Sequence, residues 1–252
     1  MSGLFIPLRV TPGAKGIYLR GLRGADELAI EEMDTRNLIH LLDSMMDDGS
    51  KPNKIRAAQI VTSDRDRILA ALYISLFGPK VASTLSCRNC AEKFDLDFSL
   101  HDLLAHSLPT LTQASDNGTY ELEPGVSFRL PNGEDEMMIN PNISGDGEKQ
   151  LLERCLIEGN PETDNEKIQV KMAELAPILN MEMQASCPEC GVVQQVQFDM
   201  QSFFLMRLKQ ERHVLLREIH AIASQYHWSQ KEILDLPGNV RKQYAALIHA
   251  GN

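Results

Sequence analysis

The sequence predicts an α+β fold in which two β-hairpin knuckles share one four-cysteine site, flanked by helices and ending in an α-helical C-terminal tail. Three observations predict it. Residues 86–100, SCRNCAEKFDLDFSL, and residues 186–200, SCPECGVVQQVQFDM, match at an offset of 100 residues, each with a Cys-x-x-Cys. The alternation of Phe94, Leu96, Phe98 and Leu100 with Lys93, Asp95, Asp97 and Ser99 has the two-residue period of a strand. From Gln201 onward, apolar residues recur at helical spacing instead.

Each element follows from local signals. Residues 4–20 mix short apolar pieces with Pro and Gly and read as extended segments or turns. Leu38, Leu41, Leu42 and Met45 mark a helix over Thr35–Met46, and MMDDGSKPNK reads as a loop. SDRDRILAALYISLFG reads as a stronger helix, with Ser63 as its cap, acidic residues in its first turn and Gly78-Pro79 ending it. KVASTLSC and EKFDLDFSL are strands around the first cysteine turn, and Asp102–His106 starts a short helix. PTLTQASDNG (109–118) is a polar connector, and YELEPGVSFRLP a hairpin about Pro124-Gly125. GEKQLLERCLIEG is a helix ended by Gly159, NPETDNE a loop, and EKIQVKMAELAPIL a helix disturbed near Pro177. MEMQASC and VVQQVQFDM flank the second cysteine turn. Helices over about 201–226, 229–235 and 238–249 complete the chain.

The 252 residues are enough for one large domain or two smaller ones, and apolar and charged fractions of 43% and 24% are ordinary for a globular protein. No apolar run reaches the roughly 18 residues of a membrane span, and MSGLFIPLRVTPGAKG lacks a signal-peptide pattern, so the cytoplasm is the expected location. A net charge of −10 argues against general affinity for nucleic acid or anionic lipid. The charge is uneven: residues from Gln201 carry +3 and the first 200 carry −13.

Five cysteines in a reducing compartment read as four metal ligands plus a buried Cys155 in LLERCLIE. Thiolates supplied as two close pairs, Cys87/Cys90 and Cys187/Cys190, are what one tetrahedral Zn²⁺ requires. Two strand–knuckle–strand units sharing a metal make a zinc ribbon, split here by 96 residues between Cys90 and Cys187. Phe98 and Phe198 would pack beneath the metal. With all four positions taken by protein sulfur, the zinc would be structural, its binding energy becoming folding energy. Two separate redox pairs, or an iron centre on the same thiolates, are the competing readings.

Nothing else supplies catalytic chemistry. His213, His220 and His227 lie seven residues apart, about 10 Å of helical rise, too far for neighbours to share one metal. GDGEK (145–149) lacks the ending of a phosphate loop and reads as a turn, and GEDEMM reads as a solvated loop or helix start. In the tail, Phe204, Leu208, Leu215, Ile219, Ile222 and Tyr226 form a packing stripe. Ser229 and Glu232 make a capping box behind Trp228, and Val240, Tyr244, Leu247 and Ile248 share one side of the last helix. Such short helices must fold back or dock on a partner.

The order of these pieces resembles the T-even-type phage baseplate hub assembly proteins, the hub assembly chaperones of contractile-tailed phages and phage-like injection systems. The likeness lies in SDRDRILAALYISLFGPKVASTLSCRNCAEKFDLDFSL, LLERCLIEG, ASCPECGVVQQVQFDM and LLREIHAIASQYHWSQKEILDLPGNVRKQYAALI. It covers roughly residues 60–250 without the 106–145 connector. The resemblance implies a non-enzymatic assembly factor or minor structural component of the baseplate hub. Its partners would be other hub or tail proteins, with no small-molecule substrate, in the host cytoplasm or within the particle.

The chain is therefore expected to divide into a segment 1–60, a split zinc-ribbon domain 61–200 with an insertion at about 106–180, and a helical region 201–252. Cys87, Cys90, Cys187 and Cys190 are the expected metal ligands, and Trp228, Arg241 and Tyr244 the expected partner-binding residues. A zinc-ribbon adaptor for nucleic acid or transcription machinery is the alternative. It lacks Lys/Arg interleaved with aromatics around either knuckle.

Overall fold

The structure, a computed structural model, describes residues 3–46, 55–110, 117–139 and 147–250. It is a mixed α+β architecture of small antiparallel sheets on a helical core. Strands β1 (Leu4–Pro7) and β2 (Gly16–Leu19) pair antiparallel, so the extended N-terminal pieces close as a hairpin. A Cβ at Gly16 would come within 2.7 Å of the Ile6 carbonyl oxygen, so this pairing needs glycine. A five-residue helix α1 (Gly24–Leu28), absent from the sequence reading, precedes α2 (Thr35–Met46). Helix α2 has the expected bounds and buries Leu38, Leu41, Leu42 and Met45.

Helix α3 (Thr62–Phe77) departs from expectation at its start. Its N-cap is Val61, and Ser63 does not cap it; the Ser63 hydroxyl instead donates to the Pro177 carbonyl at 2.8 Å. The whole polar run Ser63–Arg67 is buried. Burial of these side chains is tolerable because each makes at least one hydrogen bond, although Arg65 Nε and Nη1 and Arg67 Nε make none. Asp64 accepts from the Arg9, Val10 and Thr11 amides and the Thr11 hydroxyl, at 2.7–3.1 Å. Arg65 donates to both Glu136 oxygens at 2.8 Å, Asp66 accepts the Leu179 amide at 2.8 Å, and Arg67 reaches the Ser107 carbonyl. Downstream, the helical spacing of Ile68, Leu69, Leu72, Leu76 and Phe77 predicts one buried face; Ile68, Leu69 and Leu72 enter the main core, whereas Leu76 stays exposed and Phe77 half-buried.

The two cysteine segments fold alike. Strands β3 (Lys80–Ser86) and β4 (Lys93–Ser99) form one hairpin, and β8 (Asn180–Ser186) and β9 (Val193–Asp199) the other, every register pair displaced by 100 residues. Each hairpin runs straight into a helix: α4 (Leu100–His106) and the 27-residue α8 (Met200–Tyr226). The first amide of each helix donates to a carbonyl just before its own hairpin, Leu100 to Pro79 and Met200 to Leu179. Phe98 and Phe198 meet edge to face at 5.0 Å between centroids, not beneath the cysteines as expected but at the opposite end of the hairpins, where they pair with Val81 and Met181. One core runs from Ile6 to Leu208 and joins β1–β2, α2, α3 and the inner ends of both hairpins.

Between the hairpins, β5 (Thr119–Glu123) and β6 (Val126–Arg129) pair as expected. The segment LLERCLIEG is not all helix. Helix α6 (Gly147–Cys155) stops at Cys155, and β7 (Leu156–Glu158) adds a third strand against β6. The next helix, α7 (Pro161–Leu175), begins inside the expected loop, because Asn160 caps it and Pro161 sits where a missing amide costs nothing. It ends before Pro177. GEDEMM forms helix α5 (Gly133–Met137), where Asp135 is buried rather than solvated. Residues 47–54, 111–116 and 145–146, from the expected loop, connector and turn, lie outside the described residues.

An internal correspondence missed in the sequence links α1 to α5. RGLRGADE (20–27) and RLPNGEDE (129–136) share Arg-x-x-x-Gly-x-Asp-Glu. In both, the Arg forks onto the Asp, Arg20 on Asp26 at 2.6–2.7 Å and Arg129 on Asp135 at 2.5–2.6 Å. Burial raises each carboxyl, but the arginine and a backbone amide more than offset it, leaving both below the usual range. The following Glu then receives an arginine from a distant helix, Arg65 on Glu136 and Arg241 on Glu27. Even the backbone bridges correspond, Val61 with Asn132 and Arg23 with Pro237.

Asp64→Ala would leave three backbone amides and a hydroxyl unpartnered. It is expected to lower stability by about 3 kcal/mol or more, read from urea unfolding, with faster amide exchange at residues 9–11. Asp66 gives a pH dependence. Burial pushes its carboxyl up to about 7 against the Leu179 amide and Arg65. The folded chain therefore keeps a proton that the unfolded chain releases near pH 4. Relative to Asp66→Asn, the wild type should lose stability as pH rises from about 4 to about 7; parallel profiles would refute the assignment.

Candidate metal centre

The cysteines sit at the tips of the two hairpins, away from the α3 base. In each knuckle the first cysteine's amide closes the turn, Cys87 to the Glu92 carbonyl at 2.8 Å and Cys187 to the Val192 carbonyl at 2.9 Å. The residue after the second cysteine then returns an amide to the first, Ala91 to Cys87 and Gly191 to Cys187. That return requires the left-handed region, at φ 62° for Ala91 and 72° for Gly191. The unusual Cys-Arg-Asn-Cys-Ala half thus adopts the glycine conformation without glycine.

The four sulfurs lie within 4.8 Å of one another, with Cys87–Cys190 at 3.6 Å and Cys90–Cys187 at 3.7 Å. A tetrahedron with metal–sulfur bonds of about 2.3 Å has edges of about 3.8 Å, so the cluster could hold one metal ion. Among the described residues, no other group of His, Cys, Asp and Glu has such spacing. Backbone amides hold thiolate charge here: those of Cys90 and Asn89 draw the Cys87 thiol down, and that of Val192 takes Cys190 to about 6. The Glu92 amide also draws on Cys90, but burial and the neighbouring sulfurs push it up to about 12. One side chain braces the halves: the Gln194 amide oxygen accepts the Arg88 amide at 3.0 Å, and its nitrogen donates to the Ser86 carbonyl at 3.3 Å. The fifth cysteine, Cys155, is fully buried and pushed up to about 12 by burial, as an inert packing residue. His213 and His220 are exposed on α8, and His227, also exposed, lies past its end as the left-handed C-cap.

The tail comprises α9 (Gln230–Leu234) and α10 (Gly238–Ala250), folded back on α8 over Leu215, Ile219, Ile222 and Ile233. The Ser229–Glu232 capping box forms as read from the sequence. Trp228 and Tyr244 are half-buried and meet Tyr226 in an aromatic triangle with centroids 5.0–5.6 Å apart. Arg241 lies elsewhere. It is 1% exposed and bonded at 2.7 Å to both Glu27 and Glu218, so its guanidinium points into the protein. Burial raises the Glu27 carboxyl more than Arg241 lowers it. Gly24 opens the space: a Cβ there would lie 2.8 Å from Arg241 Nη1. The acidic partners were missed because nothing local marks Glu27 or Glu218; only the repeated Gly-x-Asp-Glu could have pointed to Glu27.

The fold and site define a mixed α+β protein whose two hairpins bring four cysteines into a cluster able to hold one metal ion. The sequence model for the T4 bacteriophage base plate protein family matches residues 24–205, and the chain belongs to that family. No curated protein and no solved structure gives a significant match. Among the described residues, no helix is long and apolar enough to cross a membrane.

The knuckles should respond oppositely to one methyl group. Gly191→Ala is expected to cost about 1 kcal/mol and Ala91→Gly to be neutral or stabilising by about 0.5 kcal/mol, from urea midpoints; equal responses would contradict the φ assignment. Arg241→Ala leaves two carboxylates buried without their cation and should weaken tail docking by about 3 kcal/mol. Amide exchange should then rise over residues 230–248 and stay unchanged in both cysteine hairpins.

Proposed function

We propose that this protein is a non-enzymatic assembly factor, or minor structural component, of the baseplate hub of a contractile tail or phage-like injection system, held by one structural zinc. Membership of the baseplate family carries the reading. The four-cysteine cluster supports its second part: Cys87, Cys90, Cys187 and Cys190 would fill every position of a tetrahedral ion and leave none for water or substrate. Zinc would supply a cross-link between segments 100 residues apart, and the hairpins would then count as a split zinc ribbon. In this reading the segments 1–60 and 61–200 form the body that the ribbon stiffens, with 106–180 as its insertion. The region 201–252 is the arm that meets other hub or tail proteins, Trp228 and Tyr244 contributing to its surface and Arg241 fixing it from below. The work would take place in the host cytoplasm during tail assembly.

Purified protein is expected to contain one zinc per chain, none after Cys87→Ser or Cys187→Ser. Loss of the metal should lower the melting temperature by on the order of 10 °C. Exchange should quicken at the hairpin tips and not at the α3 base. A metal-free chain whose native cysteines cycle between thiol and disulfide would overturn the zinc assignment. Co-expressed hub subunits should co-purify with the tagged chain; failure with every hub subunit would overturn the assembly role.

A further inference from the structure

The hairpins and the start of α8 leave an apolar groove of about 460 Å³ between them. Its floor carries Phe98, Phe198 and Phe203, and its walls carry Met33, Met183 and Met206. Met33 and Met206 are 50% and 38% exposed, although both are large apolar side chains with packed neighbours at hand. Methionine is unbranched and soft, and a groove walled by it re-forms around differing apolar shapes. Exposed apolar surface of this kind marks a binding face. Charge identifies the occupant. Asp199 is the one charged residue among those lining the groove, and Met33 stands within Glu31–Glu32–Met33–Asp34, three carboxylates in four residues. Asp199 is committed to capping α8 through the Ser202 amide and also lines a neighbouring pocket with Arg65, so the acidic rim rests on Glu31 and Glu32, both exposed beside Met33.

We infer that this groove docks an amphipathic helical segment of a partner protein, one presenting large apolar side chains along one face and flanked by Lys or Arg. Helix-in-groove binding supplies the apolar contact, and the acidic rim selects the basic flanks. The groove lies across both hairpins, so a docked helix would read the geometry that the four cysteines fix. This deepens the hub reading by naming the chemistry of one partner and rests on it only for that partner's identity.

The test uses the full zinc-loaded chain and two short fluorescent helical peptides sharing one leucine face, one flanked by Lys/Arg and the other by Glu. The basic peptide should bind at least about 10-fold more tightly. The advantage should shrink in high salt. The double variant Met33→Gln, Met206→Gln changes only partly exposed side chains and adds no charge to the rim. It should retain its zinc and circular dichroism and lose at least about 10-fold in affinity. Equal binding of the two peptides, or unchanged binding by a folded double variant, overturns the inference. If hub subunits co-purify with the double variant as well as with wild type, the groove is refuted and the hub reading stands. If the peptide preference holds and no hub subunit ever co-purifies, the groove stands and the hub reading falls.

Discussion

The buried polar turn at the start of α3 is the constraint on which the rest of the structure depends. A helix N-terminus that places Ser63, Asp64, Arg65, Asp66 and Arg67 out of water would be prohibitive if those groups lacked partners. Here they grip four separate pieces of chain: residues 9–11, Ser107, Glu136 and residues 177–179. Two of those contacts have a particular geometry. Helix α3 leads directly into the first cysteine hairpin, while Ser63 and Asp66 hold residues 177–179, which lead directly into the second. One helix therefore sets the spacing and direction of both hairpins at their bases.

The four-cysteine cluster lies at the far end of the same two hairpins. Each strand pair is seven residues long, so the base and the tips are separated by about 23 Å of strand. Between them, Phe94, Ala185, Leu85, Leu96 and Val196 form an apolar cluster, while Phe98 and Phe198 pack edge to face beside the base and Gln194 ties the Arg88 amide to the Ser86 carbonyl at the tip. The pair of hairpins is thus fixed at base, middle and tip by three different kinds of force. Burial of carboxylate–amide bonds dominates at the base, apolar contact in the middle, and sulfur geometry at the tip. A tie at the tip alone would leave a chain of 96 intervening residues to locate its own ends. With α3 holding the bases, the cysteine pairs meet as neighbours.

How much of this was legible in the sequence follows the range of each interaction. Period-two alternation in 93–100 and the apolar stripe of 35–46 are local; the helix appeared with its expected bounds, and the strand ended at Ser99, where Leu100 opens α4. The cysteine cluster is long-range, yet ligand chemistry and the 100-residue match reported it. The polar turn was misread because a cap and a buried hub use the same residue types; only distant partners distinguish them. Helix α6 ended early for a similar reason: Leu156–Glu158 has no helix breaker until Gly159, and it becomes a strand because β6 offers an open edge. Arg241, expected with Trp228 and Tyr244 among the partner-binding residues, is drawn inward by carboxylates 214 and 23 residues away. The one readable clue to that arrangement, the repeated Arg-x-x-x-Gly-x-Asp-Glu, lay outside the cysteine segments that dominated the pattern.

That repeat also explains why two similar arginine clips serve different ends. Arg65 and Arg241 each cross from a helix to the glutamate after a forked Arg–Asp pair, so the electrostatic design is shared. Their surroundings are not. Arg65 belongs to a 16-residue helix whose following turns are buried in the main core, and the Thr35 and Thr62 hydroxyls add bonds to its glutamate. Arg241 belongs to a terminal helix resting on a small cluster of its own, apart from that core. Cooperative units come loose in the order of the apolar area that holds them. An ion pair closed over little apolar surface gives position without much stability. The same clip therefore locks the centre of the molecule and only orients its tail, leaving the tail easier to open than that centre.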